Sequence, residues 1–140
     1  MDPYILIADD DADDQDLLQQ AILDLAPDTP IRSIWNGQRV LSFLEECSEN
    51  MLPSLLVLDY KIPPLDANEI LTALSGQVQY AEMAKVVWSS SSQTSHMNNC
   101  LGNGALKYFQ KPNDTLELKA LAAEILAIFQ KTVLGRCSPL

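Results

Sequence analysis

Several short apolar runs in this chain each end on a side chain that can do chemistry. Asp9 and Asp10 follow the run 4–8, Asp59 follows 55–58, Ser89 follows 85–88 and Lys111 follows 105–110. Three carboxylates brought together repel one another, so at neutral pH they must bind protons or hold a cation. Clustered hard oxygen donors suit Mg²⁺, which usually takes one or two protein carboxylates, keeps several waters and accepts a phosphate oxygen. An ammonium and a hydroxyl facing them could hold the remaining oxygens of a phosphoryl group, the electrostatic arrangement that phosphoryl transfer requires. A carboxylate can itself be the nucleophile, forming an acyl phosphate. Asp59, closing the central apolar run, is the candidate.

These side chains meet only if the elements bring their ends together. The run 4–8 is continuously apolar, as in a strand covered on both faces. Leu17, Leu18, Ala21, Ile22 and Leu25 then repeat at helical spacing as far as Pro27. A second strand is predicted at 31–35, after which Asn36-Gly37 turns the chain into a helix carrying Val40, Leu41 and Leu44. Beyond Pro63-Pro64, Asp66 and Glu69 have the spacing of a capping box. Met97, Cys100, Leu101 and Gly104 mark a fourth helix weakened by its glycines. Leu118, Leu121, Ala122, Ile125 and Phe129 mark a long last one. Five strand-helix units in strict alternation predict an α/β fold, a doubly wound five-stranded parallel sheet with helices on both faces. Ligands of such sheets bind beyond the carboxyl ends of the strands, near the switch in strand order. All five chemical side chains fall there.

The length of 140 residues predicts one domain, with a core over about 4–130, a tail at 134–140 and a frayed end from Gly135. Nine Lys+Arg against 19 Asp+Glu give a net charge of −10. Nucleic-acid backbones and anionic membranes are bound through clustered cations, which this chain lacks, so neither is an expected partner. The acid is uneven: Asp2, Asp9, Asp10, Asp11, Asp13, Asp14 and Asp16 all fall in the first sixteen residues. Cys47, Cys100 and Cys137 are odd in number and have no CxxC spacing, which suggests neither a disulfide framework nor a zinc site. No apolar run approaches a membrane span and no signal-peptide pattern opens the chain, so a reducing cytoplasm is the expected location.

Four segments in order, 5–11, 55–63, 86–91 and 104–112, carry a family resemblance. They read Ile-Leu-Ile-Ala-Asp-Asp-Asp, Leu-Leu-Val-Leu-Asp-Tyr-Lys-Ile-Pro, Val-Val-Trp-Ser-Ser-Ser and Gly-Ala-Leu-Lys-Tyr-Phe-Gln-Lys-Pro. With this spacing the chain resembles the CheY-like receiver domains of two-component response regulators, from about Tyr4 to about Phe129. The resemblance implies a flavodoxin-like three-layer sandwich. It also implies that Asp59 is the phosphoacceptor, that Asp9 and Asp10 place Mg²⁺, and that Asp10, Asp59 and the backbone carbonyl of Lys61 ligate it. Ser89 would be the switch hydroxyl, Tyr108 the aromatic rotamer switch and Lys111 the phosphate-binding cation. Lys111-Pro112 would be a cis peptide.

Two positions depart from the family pattern. Ala67 stands where receivers commonly have Gly, which restricts positive φ in the loop after Asp59. Lys61 stands where a neutral or acidic residue is common, and its ammonium would reach the carboxylates or the phosphoryl group. Plainer readings remain for other residues. Asp11, Asp13, Asp14 and Asp16 suit the N-terminal turn of a helix, the switch hydroxyl could slip from Ser89 to a neighbouring serine, Trp88 reads as a core aromatic, and His96 reads as an ordinary exposed residue.

The resemblance therefore implies a single-domain receiver in a phosphorelay. Asp59 would be phosphorylated by a sensor histidine kinase or phosphotransfer protein, as for regulators that partner bacterial phytochromes. It would assist only its own phosphorylation and dephosphorylation, and signal through protein contacts. The uncharged stretch of Gln93, Thr94, Ser95, His96, Asn98, Asn99 and Asn103 would be the docking face for a downstream protein or a second copy in a homodimer. Two rivals stay open: a pseudo-receiver scaffold that is never phosphorylated, and a Mg²⁺-dependent phosphatase on a similar sheet. The absence of a GxxxxGK[ST] loop and of a second Asp two residues after Asp59 weighs against the phosphatase.

Overall fold

The computed structural model describes residues 3–136. In chain order the elements are β1 (Ile5–Ala8), α1 (Ala12–Leu25), β2 (Ile31–Ile34), α2 (Gly37–Glu46), β3 (Leu55–Asp59), β4 (Lys61–Ile62) and β5 (Leu65–Asp66). They continue with α3 (Ala67–Leu74), β6 (Ala84–Ser89), α4 (Thr94–Gly102), β7 (Lys107–Gln110) and α5 (Thr115–Arg136). Five strands form one parallel sheet in the order β2-β1-β3-β6-β7. The order reverses at β1, whose successor β2 lies on one side and β3 on the other. The carboxyl ends of β1 and β3 thus flank the switch point, where a crevice opens.

Alternation along the central strands divides the core into two layers. Leu6, Leu56, Leu58 and Val87 face α2, α3 and α4, where Val40, Leu44, Ile70, Leu71 and Cys100 meet them. Ile5, Ile7, Leu55, Val57 and Val86 face α1 and α5, against Leu18, Ile22, Ala122 and Ile125. Every residue of β1 and β3 is buried, which explains the unbroken apolar runs 5–8 and 55–58 within them. The result is the three-layer, doubly wound sandwich expected of the sequence.

The structure also corrects details. The fifth predicted strand, 105–110, shortens to β7, an edge strand with partly exposed residues, and Leu106 before it is exposed. Gly104 does not continue α4 but ends it: with φ of 109°, it lets Gly104 N–H donate to Leu101 O and Ala105 N–H donate to Cys100 O. This is the bond pattern of a Schellman stop, which favours a residue free to take positive φ. Lys111-Pro112 is not cis; among the described residues the cis bond is Pro63-Pro64. The lysine reaches its partners through a trans peptide, with its backbone N–H fixed on Ser89 O at 2.7 Å. Helix α5 runs to Arg136, past the expected fraying point at Gly135, while residues 137–140, with Cys137, lie outside the described residues. Among the described residues no helix is long and apolar enough to cross a membrane.

The β4-β5 ribbon was not legible in the sequence. Its two residue pairs, Lys61 with Asp66 and Ile62 with Leu65, pack against the start of α2. Gly37 N–H donates to Pro63 O at 3.1 Å, and a Cβ on Gly37 would run into the carbonyl oxygen of Ile62. Only glycine permits this approach.

Candidate functional site

Backbone bonds across the carboxyl edge of the sheet hold the site residues in register. Asp9 N–H donates to Ile34 O at 3.1 Å, Tyr60 N–H to Trp88 O at 3.1 Å and Lys111 N–H to Ser89 O at 2.7 Å. Asp59 lies opposite Trp88, and Ser89 opposite Gln110. The helix that follows β1 is capped by Asp11, whose Oδ1 accepts from the N–H groups of Asp13 and Asp14 at 2.9 and 3.2 Å.

The predicted carboxylates converge. Asp9, Asp10 and Asp59 each offer an oxygen within 4.8 Å of the others'. Asp9 is fully buried, Asp59 nearly so, and Asp10 faces solvent. Asp9 Oδ1 accepts the N–H of Asp11 at 2.9 Å. Lys111 closes the cluster, its Nζ standing 3.0 Å from Asp9 Oδ2 and 3.2 Å from Asp59 Oδ2. Asp10, Asp59 and Lys111, with Lys61, Ser89 and Ser90, line an open cleft of about 640 Å³.

The electrostatics follow from this crowding. Burial, and then the charge of Asp9, push the Asp59 carboxyl up to about 7, against the pull of Lys111. Burial likewise raises Asp9, against its bond from Asp11 and the ammonium beside it. Burial alone would lower Lys111, but its bonds and charge pairs with Asp14, Asp59 and Asp9 outweigh that and hold it above the ordinary lysine range. The cluster carries more negative charge than one ammonium balances, so its oxygens are donors in want of a cation.

The remaining predicted residues sort themselves around this centre. Ser89 is buried at the end of β6, and its Oγ accepts the N–H of Ser91 at 3.0 Å, while Ser90 beside it is exposed. Tyr108 is half-buried, and its hydroxyl donates to Ser91 O at 3.1 Å. Ala67 opens α3, fully buried, its N–H on Tyr60 O at 2.7 Å. No described residue other than glycine has positive φ, so the loop does not call on the freedom a glycine would bring at Ala67. Lys61 departs from expectation: it lies exposed at the cleft rim, and among the described residues it ion-pairs with no carboxylate. Its place in the β4-β5 ribbon holds it at the rim, and Lys111 takes the carboxylates instead.

Four residues carry more than the sequence reading assigned them. Gln15 is buried, and its Nε2 lies 3.1, 3.2 and 3.0 Å from the carbonyl oxygens of Ile7, Asp9 and Ile34, tying α1 to the ends of β1 and β2. Its signal was a glutamine at an inward position of an amphipathic helix. Asp14, read as a solvated helix acid, sits 2.7 Å from Lys111 Nζ. His96 is half-buried, its ring stacked on that of Tyr60. Trp88 is buried as expected of a core aromatic, yet its ring also lies 4.7 Å beneath Lys111 Nζ, within cation-π range.

The model of the response regulator receiver domain family matches residues 5–123. The chain belongs to that family. Among relatives of this receiver, the two-component response regulator ARR17 of Arabidopsis thaliana is 25% identical over 131 residues, covering 88% of this chain and 84% of its own length. The probable methanogenesis regulatory protein FilR2 of Methanothrix harundinacea is 25% identical over 127 residues, covering 89% of this chain and 82% of its own. Among solved structures, the phosphorylated cyanobacterial phytochrome response regulator RcpA superposes with a TM-score of 0.82 at 20% identity, over 94% of this chain and 96% of that one. The Mn²⁺-bound form of response regulator Rcp1 superposes at 0.78 and 22% identity, over 90% of this chain and 93% of that one. At these identities the solved structures speak for the receiver fold. The family places the chain in two-component signalling.

Proposed function

We propose that Asp59 accepts a phosphoryl group from the phosphohistidine of a sensor kinase or phosphotransfer protein. The observation that carries this reading is the ammonium of Lys111 bridging the buried carboxylates of Asp9 and Asp59, in a cluster open to solvent through Asp10 and the cleft. An Asp59 oxygen attacks phosphorus, the bond from phosphorus to the imidazole nitrogen breaks, and that nitrogen leaves with its electron pair. The product is an acyl phosphate. Lys111 is positioned to pair with a phosphoryl oxygen, and Ser89, one strand over, to donate a hydrogen bond to another.

The donor set fits a hard divalent cation: three carboxylate oxygens close together and no nitrogen or sulfur ligand among them. Asp9, Asp10 and Asp59 would hold Mg²⁺, with the backbone carbonyl of Lys61 as a further oxygen ligand. Bound there, the cation neutralises charge on the transferring phosphoryl oxygens.

The signal leaves through protein contacts. Ser89 Oγ, in turning to the phosphoryl group, gives up the N–H of Ser91, and Ser91 in turn holds Tyr108. That couples Asp59 to the surface of α4 and β7, where a downstream protein or a second copy docks, a population shift of a two-state surface. The domain turns over no substrate beyond its own acyl phosphate. Incubation with Mg²⁺ and acetyl phosphate, followed by mass spectrometry of intact protein, tests the reading. One base-labile phosphoryl group, lost in Asp59→Asn, is expected. No label would favour a scaffold, and repeated turnover of the donor a phosphatase.

A further inference from the structure

The phosphoacceptor reading uses Lys111 but gives Asp14 no part, although the shortest of the three bonds to that ammonium comes from Asp14. Its Oδ2 lies 2.7 Å from Nζ, against 3.0 Å for Asp9 and 3.2 Å for Asp59. An ammonium has three donors, and three carboxylates match them. Asp14 nonetheless stands apart from the other two. It belongs to the first turn of α1, it is about one-third exposed (31%), and it is not one of the three carboxylates whose oxygens cluster. The ring of Trp88, 4.7 Å from Nζ, forms a second wall outside that trio.

We propose that Asp14 is a positioning residue for Lys111. It tethers the ammonium at the edge of the carboxylate trio, so that a divalent cation can take oxygens of Asp9 and Asp59 without having to expel the lysine. The inference rests on the metal-assisted phosphoacceptor reading and deepens it. Without the tether, the only carboxylates left within bonding reach of Nζ among the described residues are Asp9 and Asp59, the same oxygens the cation needs. The lysine then becomes a competitor of the metal. The neighbouring Asp13 has the same charge and lies in the same turn, but makes no bond to Lys111. It therefore separates the tether from the general pull of negative charge.

The test is Mg²⁺ affinity of the unphosphorylated full chain, read from the amide shifts of Asp10 and Tyr60 in ¹⁵N-¹H spectra over a Mg²⁺ series. The proteins are wild type, Asp14→Asn, Asp13→Asn, Lys111→Ala and the double variant Asp14→Asn with Lys111→Ala. Asp14→Asn should weaken Mg²⁺ binding about fivefold, a coupling of the size expected for contacting charged residues. Asp13→Asn should change it less than about twofold, and Asp14→Asn should have no larger effect than that once Lys111 is absent. Asp14→Glu should restore most of the loss. Equal effects of Asp14→Asn and Asp13→Asn, or an Asp14→Asn effect undiminished without Lys111, would overturn the proposal. Acetyl phosphate labelling of the same wild-type protein keeps the two readings apart. A labelled wild type with a flat cycle sinks the tether alone, whereas a wild type that neither binds Mg²⁺ nor takes the label sinks the phosphoacceptor reading with it.

Discussion

His96 lies flat on Tyr60, the residue that follows Asp59, with ring centroids 4.1 Å apart and planes within 12° of parallel. Its Nδ1 also sits 3.2 Å from Ser91 Oγ, and Ser91 is the residue that bonds both Ser89 and Tyr108. One histidine on α4 thus touches the ring of the residue after Asp59 and the serine that links Ser89 to Tyr108. His96→Ala should cost about 1 kcal/mol in urea unfolding, the worth of a partly exposed aromatic stack. It should leave acetyl phosphate labelling of Asp59 intact and shrink the phosphorylation-induced amide shift at Tyr108. A Tyr108 shift of full wild-type size would show that the stack takes no part in the coupling.

The raised Asp59 carboxyl makes stability depend on pH in a defined direction. In the unfolded chain this group titrates near the ordinary aspartate value of about 4. In the folded protein burial and Asp9 push it up to about 7. Between those values the folded state holds a proton that the unfolded state has released. The stability from this group is complete below about pH 4 and is lost as pH rises through about 7. In metal-free buffer, wild type should therefore lose stability relative to Asp59→Asn as pH is raised from 4 to 8, by a few kcal/mol at most. Urea unfolding of both proteins at each pH checks this, and a constant gap would contradict it.

Lys111→Met removes the one cation bonded to Asp9 and Asp59 among the described residues. Breaking a buried pair by deleting one partner leaves the other charge uncompensated, typically at about 3–5 kcal/mol. Protonation of Asp59 relieves part of that, so about 2–3 kcal/mol is expected at pH 8 and less at pH 5. Thermal melts at the two pH values give the comparison.

Gly37 carries a purely steric prediction. Its added Cβ in Gly37→Ala would meet the carbonyl oxygen of Ile62, a backbone atom of the β4-β5 ribbon. Overpacking of this kind costs about 1–3 kcal/mol. Because the ribbon begins at Lys61, two residues past Asp59, the strain should also appear as shifted amide resonances of Tyr60 and Lys61. Unchanged stability and spectra would mean that the ribbon yields freely.

The sheet, its four crossovers and the converging carboxylates were legible because continuous apolar runs such as 55–58 leave few alternatives, and each stops on a polar residue whose place at the strand end follows from the fold. Helix ends were less legible: Gly104 fits a helical spacing, and only the backbone bonds of Ala105 show it to be a stop. The β4-β5 ribbon is held by two residue pairs and a close approach to Gly37, too little sequence to leave a period. Asp14 and Asp13 look alike as first-turn acids. Which of them meets a lysine 97 positions away depends on the rotation of α1 against the sheet, a tertiary fact. His96 gave no signal for a similar reason, since its partner Tyr60 belongs to another loop.

The central claim is that Asp59 is a metal-assisted phosphoacceptor, and phosphorylation by acetyl phosphate in the presence and absence of Mg²⁺ tests it most directly. Tandem mass spectrometry of the borohydride-trapped product locates the site. The account predicts a single Mg²⁺-dependent acyl phosphate on Asp59, absent from Asp59→Asn. Labelling elsewhere, or none at all in wild type with Mg²⁺ bound, would contradict it.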